Sequence, residues 1–153
     1  MTMTDVQTLF ATVTALLTDF VRMFDEEYTV ELHTDFDANN ITEIIGYAVA
    51  MPEASTKAFT ENFIKRYPAC KCFNAFTLSF MHELGHLETE WDMVDDTAER
   101  NEVTDNETYF NLFNERIATD WAGEYLTENK EDMLMLEKQI LTEIHKVWEK
   151  IPD

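Results

Sequence analysis

Phe80-Met81-His82-Glu83-Leu84-Gly85-His86 lies in a stretch of helical periodicity and contains the pattern His-Glu-x-x-His. On a helix the two histidines stand one turn apart on one face, so their imidazoles can take neighbouring corners of a tetrahedral metal site, for which zinc is the expected occupant. Glu83 lies beside that face, where a carboxylate can take a proton from water at the metal, the division of labour in a zinc-dependent peptidase. Counted at about 100° per residue, Phe73, Phe76, Phe80, Leu84 and Leu87 gather on a separate arc, so one face is expected to pack and the other to bind. Gly85 costs about 1 kcal/mol against Ala in a helix interior, which predicts the close approach of another backbone or of a substrate.

Outward from this helix, expected to run from about Phe73 to Thr89, the chain reads as alternating packed elements. Val6, Leu9, Phe10, Val13, Leu16, Leu17, Phe20, Val21 and Phe24 mark a first amphipathic helix. Tyr28, Val30 and Leu32, and then Ile45, Tyr47, Val49 and Met51, alternate with other residues as strands do, with Thr34 to Asn40 as a hairpin-like connection. The strand from Ile44 to Met51 could be an edge to which an extended peptide adds. Lys57 to Arg66 reads as a short helix closed by Pro68. Downstream, Glu90 to about Val103 is expected to be an acidic loop. Thr104-Asp105-Asn106-Glu107 is a capping box that predicts a helix from there to about Thr127, with Thr104 as N-cap. A last helix is expected from Lys130 to Lys150.

Composition narrows the function classes. A chain of 153 residues with 45% hydrophobic content is long enough for one core, which argues for a single domain spanning residues 1–153. A net charge of −20 repels phosphate backbones and anionic membrane surfaces, so no direct nucleic-acid or membrane partner is expected. Cys70 and Cys72, the only cysteines, cannot make a structural zinc site by themselves and read as reduced thiols. With no basic segment at the N-terminus and no long apolar run, the expected localisation is cytoplasmic.

Two histidines leave zinc short of a third protein ligand. Asp92 stands six residues beyond the second histidine, but Thr89 occupies the position where a metzincin has glycine. Glu115 is the other candidate. Taking Phe110 to Leu126 as one helix, it falls inside the arc of Phe113, Ile117, Trp121, Tyr125, Ala118 and Ala122, and a carboxylate there needs a partner. Ala118 and Ala122 are small enough to let this helix approach the motif helix. Asp120, Glu124 and Arg116 fall on the opposite side as solvated charges.

His82-Glu83-Leu84-Gly85-His86 followed by Glu115-Arg116-Ile117-Ala118-Thr119-Asp120-Trp121-Ala122-Gly123-Glu124-Tyr125-Leu126 resembles the gluzincin metallopeptidases, and is most similar to the ImmA/IrrE-like group. The resemblance covers roughly the central third of the chain. It implies zinc bound by His82, His86 and Glu115, with Glu83 as general base, and a role in cutting repressors or other regulators. The group often has a further histidine soon after the motif and a Leu-Met-Pro segment closing the second helix, where this chain has Leu87-Glu88-Thr89 and Thr127-Glu128-Asn129. With the strands read above, the expected fold is α+β: a compact zincin-like domain, mainly helical, with a small sheet packed on the motif helix.

The expected function is zinc-dependent hydrolysis of a peptide bond in a peptide or protein substrate. Tyr125, Tyr109 and His145 are the candidates to stabilise the oxyanion, His145 being read first as a helix-edge core residue. A reading from another class is an acidic interaction module, an inhibitor or nucleic-acid mimic, in which any zinc is structural.

Overall fold

A computed structural model describes residues 3–30 and 54–148. The helices are α1 (Met3–Val21), α2 (Ala54–Arg66), α3 (Ala75–Glu88), α4 (Thr97–Glu102), α5 (Asn106–Phe110), α6 (Phe113–Glu128) and α7 (Lys130–Trp148), with 3-10 turns at Pro68–Cys72 and Glu90–Asp92. The described residues contain no strand, so the expected α+β class is replaced by an all-α one. Tyr28 and Val30 are not in a strand, and the Tyr28 N–H closes a turn on the Asp25 carbonyl at 3.1 Å. Leu32, the connection from Thr34 to Asn40, and the proposed edge strand from Ile44 to Met51 lie outside the described residues. The apolar surface of the motif helix, expected to need a sheet, is covered by another helix.

The chain divides into two compact units, residues 1–51 with 135–153 and residues 52–134. In the first, Leu9, Val13, Leu17, Phe20 and Val21 are buried along α1, the face its periodicity predicts, and Ile140 and Ile144 are buried on α7. No helix among the described residues is long and apolar enough to cross a membrane.

The second unit is built on α3 packed along α6. Asn74 starts α3 by accepting the Phe76 N–H, as N-cap side chains do. The buried residues of α3 include Leu78, Met81, His82, Leu84 and Gly85, while Leu87 is 49% exposed. The histidine face is therefore itself a packed face, and the expected separation of a packing face from a binding face does not hold. On α6 the buried positions are Asn114, Glu115, Ala118, Thr119, Ala122, Gly123 and Leu126, a stripe of mostly small residues at three- and four-residue spacing. Small side chains bring the two helices together: a β-carbon on Gly85 would overlap the Ala118 carbonyl oxygen, and one on Gly123 would enter the Tyr67 ring. Tyr67 is anchored there, its hydroxyl donating to Asp120 Oδ1 at 2.7 Å while Arg66 grips the same carboxylate through Nε at 2.6 Å and Nη2 at 2.9 Å. Burial opposes the charge of Asp120, but the Arg66 and Tyr67 hydrogen bonds outweigh it and hold the carboxyl below its ordinary pKa. Asp120 is thus a tie between segments rather than a solvated charge.

Two boundaries differ from expectation. Residues 97–102 of the acidic loop form α4, whose Arg100 pairs with Asp96 at 2.9 Å. Downstream, Asp105 rather than Thr104 is the N-cap, accepting the Thr108 N–H at 2.7 Å and its hydroxyl at 2.8 Å, because a carboxylate is the stronger acceptor. The helix then breaks, with Leu112 in an extended conformation, and restarts as α6. The break removes Phe113 from the packed arc, leaving it 39% exposed.

Candidate metal centre

His82 and His86 project from successive turns of α3, and Glu115 projects from the first turn of α6. Their donor atoms converge. His86 Nε2 lies 2.7 Å from Glu115 Oε2, His82 Nε2 lies 3.5 Å from the same oxygen, and the two Nε2 atoms are 3.1 Å apart. Ligand bonds of about 2.0–2.2 Å in a tetrahedron put donor atoms roughly 3.3–3.6 Å apart. The 3.5 Å edge already has that length and the 3.1 Å edge is close to it, while the 2.7 Å edge between His86 and Glu115 would have to open by about 0.6 Å or more to admit zinc. Glu115 is 5% exposed and His82 6%. Oε2 of Glu115 is buried without a well-directed hydrogen bond despite its closeness to the two imidazoles. A buried carboxylate oxygen facing two ring nitrogens supplies the donor types of a two-histidine, one-carboxylate metal site.

His82, Glu83 and His86 also offer atoms within 4.8 Å of one another. Glu83, however, is exposed, whereas Glu115 is buried with Oε2 2.7 and 3.5 Å from the two imidazoles, so Glu115 is the better third donor and Glu83 stands beside it. Asp92, the other candidate, is exposed on the Glu90–Asp92 turn.

The surroundings hold each donor in place. His82 Nδ1 is 2.9 Å from Thr119 Oγ1, a residue with no exposure; with Nδ1 as donor, the Nε2 lone pair is left facing the centre. Phe59 packs edge-on against the His82 ring at 5.1 Å and against Phe110 at 5.7 Å. The second oxygen of Glu115 faces Arg100, with Oε1 3.6 Å from Nη1. Burial would raise the Glu115 carboxyl, but the His82 and His86 imidazoles overcome it and hold the group well below the ordinary carboxylate range. His86 is shifted up, chiefly by its contact with Glu115 and against the effect of burial.

A cleft of about 260 Å³ opens beside these residues, lined among others by Phe59, His82, Glu83, Tyr109, Phe110 and Glu115. Of the three oxyanion candidates only Tyr109 borders this cleft. Tyr125 stacks on Trp121 further along α6 at 5.5 Å, and His145 is exposed on α7 rather than a core histidine. The Tyr109 hydroxyl accepts from Arg100 Nη1 at 3.0 Å, and its own proton is directed to the Glu115 carboxylate. Burial, and then the charge of Glu115, push the phenol above its ordinary pKa and keep that proton on.

Sequence reasoning did not find Thr119 or Arg100. Thr119 had a readable signal, standing one turn after Glu115 on the same helical face. Arg100 had none, because its role depends on a helix read as a loop. Cys70 is fully buried in the 3-10 turn, where burial pushes its thiol pKa up, and Cys72 is exposed; both are free. No family model, curated protein or solved structure matches this chain.

Proposed function

We propose that this chain is a small zinc-dependent peptidase of gluzincin type, with His82, His86 and Glu115 as ligands and Glu83 as general base. The observation that carries the reading is the buried triangle of two imidazole nitrogens and a carboxylate oxygen, with Glu83 beside it. Zinc, when bound, supplies a Lewis acid that polarises the scissile carbonyl and makes water acidic enough to attack near neutral pH. Glu83, exposed beside the donor set, would take up the attacking water's proton and return it to the departing amine. Tyr109, at the edge of the cleft with its oxygen engaged by Arg100, would turn its hydroxyl from Glu115 to donate a hydrogen bond to the developing oxyanion. Phe59 and Phe110 give the cleft an apolar wall that excludes water and suits an apolar substrate side chain. The ordering of ligands, two histidines on one helix and glutamate on a later one, supports the ImmA/IrrE-like resemblance, and cleavage of a regulatory protein is the corresponding role.

The decisive test is zinc affinity, measured by competition with a chelating dye. The parent is expected to bind about one zinc per chain. Glu115→Ala removes one of three ligands and is expected to weaken binding by more than the roughly 10–100-fold typical of losing a supporting hydrogen bond. It should also lose the thermal stabilisation that zinc confers, since metal affinity is linked to the folded state. Glu124→Ala, exposed on α6, is the control. Equal affinity in all three proteins would remove Glu115 from the site. An interaction module needs no stoichiometric metal, so a parent that binds none would favour that reading instead.

Tyr109→Phe keeps the ring and loses the donor. It is expected to lower kcat about 10²–10³-fold with little change in KM or zinc content. An unchanged kcat would return the oxyanion role to another group.

A further inference from the structure

The segment that follows the second histidine carries large apolar side chains into solvent. Trp91 is 97% exposed, Val94 53%, Leu87 49% and Met93 37%. A bare indole forgoes a large favourable burial, and tryptophan is the residue most enriched at the centres of protein interfaces. The segment is also held in shape. The Thr89 N–H and hydroxyl both bond to the Gly85 carbonyl, at 3.0 and 2.7 Å, and the Asp92 N–H bonds to the Thr89 carbonyl at 2.9 Å. Asn114, itself buried, clamps Val94 from both sides: it accepts the Val94 N–H at 2.9 Å and donates to the Val94 carbonyl at 2.7 Å. A backbone already ordered loses little entropy when something binds to it.

The charged side chains along this segment have one sign. No Lys or Arg occurs between Lys71 and Arg100, and Trp91 stands directly between Glu90 and Asp92, with Glu88 and Asp95 close in sequence. Arg100, the first cation after this segment in the chain, is committed to Asp96 and Tyr109. A second copy of this chain would bring the same acidic residues, and an anionic membrane would be repelled in the same way. A segment presenting Lys or Arg beside apolar side chains satisfies both features, because its cations meet the carboxylates and the indole face while its apolar groups cover Trp91, Val94 and Leu87.

We infer that residues 87–94 form a preorganised docking surface for a basic, apolar segment of a partner protein. The inference stands on this exposed segment and is independent of the peptidase reading. It is tested with the full chain and a fluorescein-labelled amphipathic peptide of leucine and lysine in helical spacing, followed by anisotropy. The parent is expected to bind with a blue shift in indole emission. Trp91→Ala, harmless to folding at so exposed a position, should weaken binding about tenfold or more, and so should Glu90→Gln with Asp92→Asn. Glu131→Gln with Asp132→Asn, on the exposed start of α7, should leave it unchanged. The counterpart peptide with glutamate in place of lysine should not bind. Failure of the parent to bind at about 100 µM would overturn the proposal, as would equal affinity of Trp91→Ala and parent, which would mean charge attraction alone. A concentration-dependent dimer abolished by Trp91→Ala would overturn it too, assigning the surface to a second copy.

Discussion

Glu83→Gln is expected to retain zinc and fold and to lose peptidase turnover by about 10³–10⁴-fold, the upper part of the range for removing a general base. The amide matches the carboxylate in size but cannot accept the water's proton. Because Glu83 is exposed and makes none of the short contacts that tie Glu115 to the histidines, its neutralisation should leave the ligand triangle intact. His82→Ala is the informative contrast, since it should lose zinc and activity together. Zinc content, thermal melting and cleavage of a casein-derived peptide mixture, measured on the same preparations, separate the two effects. Turnover in Glu83→Gln equal to the parent's would exclude the hydrolytic mechanism drawn here.

The second large effect is expected at Gly85, which touches no ligand. In a free helix Gly→Ala stabilises by about 1 kcal/mol. Here the new methyl would overlap the Ala118 carbonyl oxygen and sit 3.0 Å from its carbon and 3.1 Å from its Cα, all backbone atoms that no rotamer change can move. Overpacking of this kind costs about 1–3 kcal/mol or more, so the helix gain is cancelled or exceeded. Relief requires α3 and α6 to part, which carries Glu115 away from His82 and His86. Gly85→Ala is therefore expected to lower Tm by several degrees, on the scale of about 2–4 °C per kcal/mol for a chain of this size, and to weaken zinc binding at least tenfold. The two losses should appear together. A variant as stable as the parent with unaltered zinc affinity would mean that the helices do not meet closely at this glycine.

Much of the site was legible because its parts obey short-range periodicity. Histidines four apart share a face on any α-helix, a glycine in a helix interior marks a close approach, and a glutamate among small residues marks a carboxylate directed inward. These rules need no knowledge of what packs against what. The reading of Glu115 nevertheless rested on an unbroken helix from Phe110, and it survived the break at Leu112 because Glu115, Ala118, Thr119 and Ala122 keep their spacing within α6.

The expected sheet failed for the opposite reason. Alternation at Tyr28 and Val30 is too short to distinguish a strand from a turn, and the N–H that would have joined a ladder is taken by Asp25. Asp120 likewise looked like a solvated charge because nothing local reveals that Arg66 and Tyr67 arrive from a distant segment.

Sequence by itself determined the helix carrying His82, Glu83 and His86, the small-residue seam of α6, and the acidic character of the chain, since each follows from residue identity at fixed local spacing. Tertiary structure decided that the histidine face is buried, that Tyr109 rather than Tyr125 or His145 borders the cleft, that Thr119 and Arg100 meet His82 and Glu115, and that Asn114 holds Trp91's segment in solvent. Those are contacts between residues far apart in the chain, fixed by how closely the helices approach, and no local periodicity encodes them.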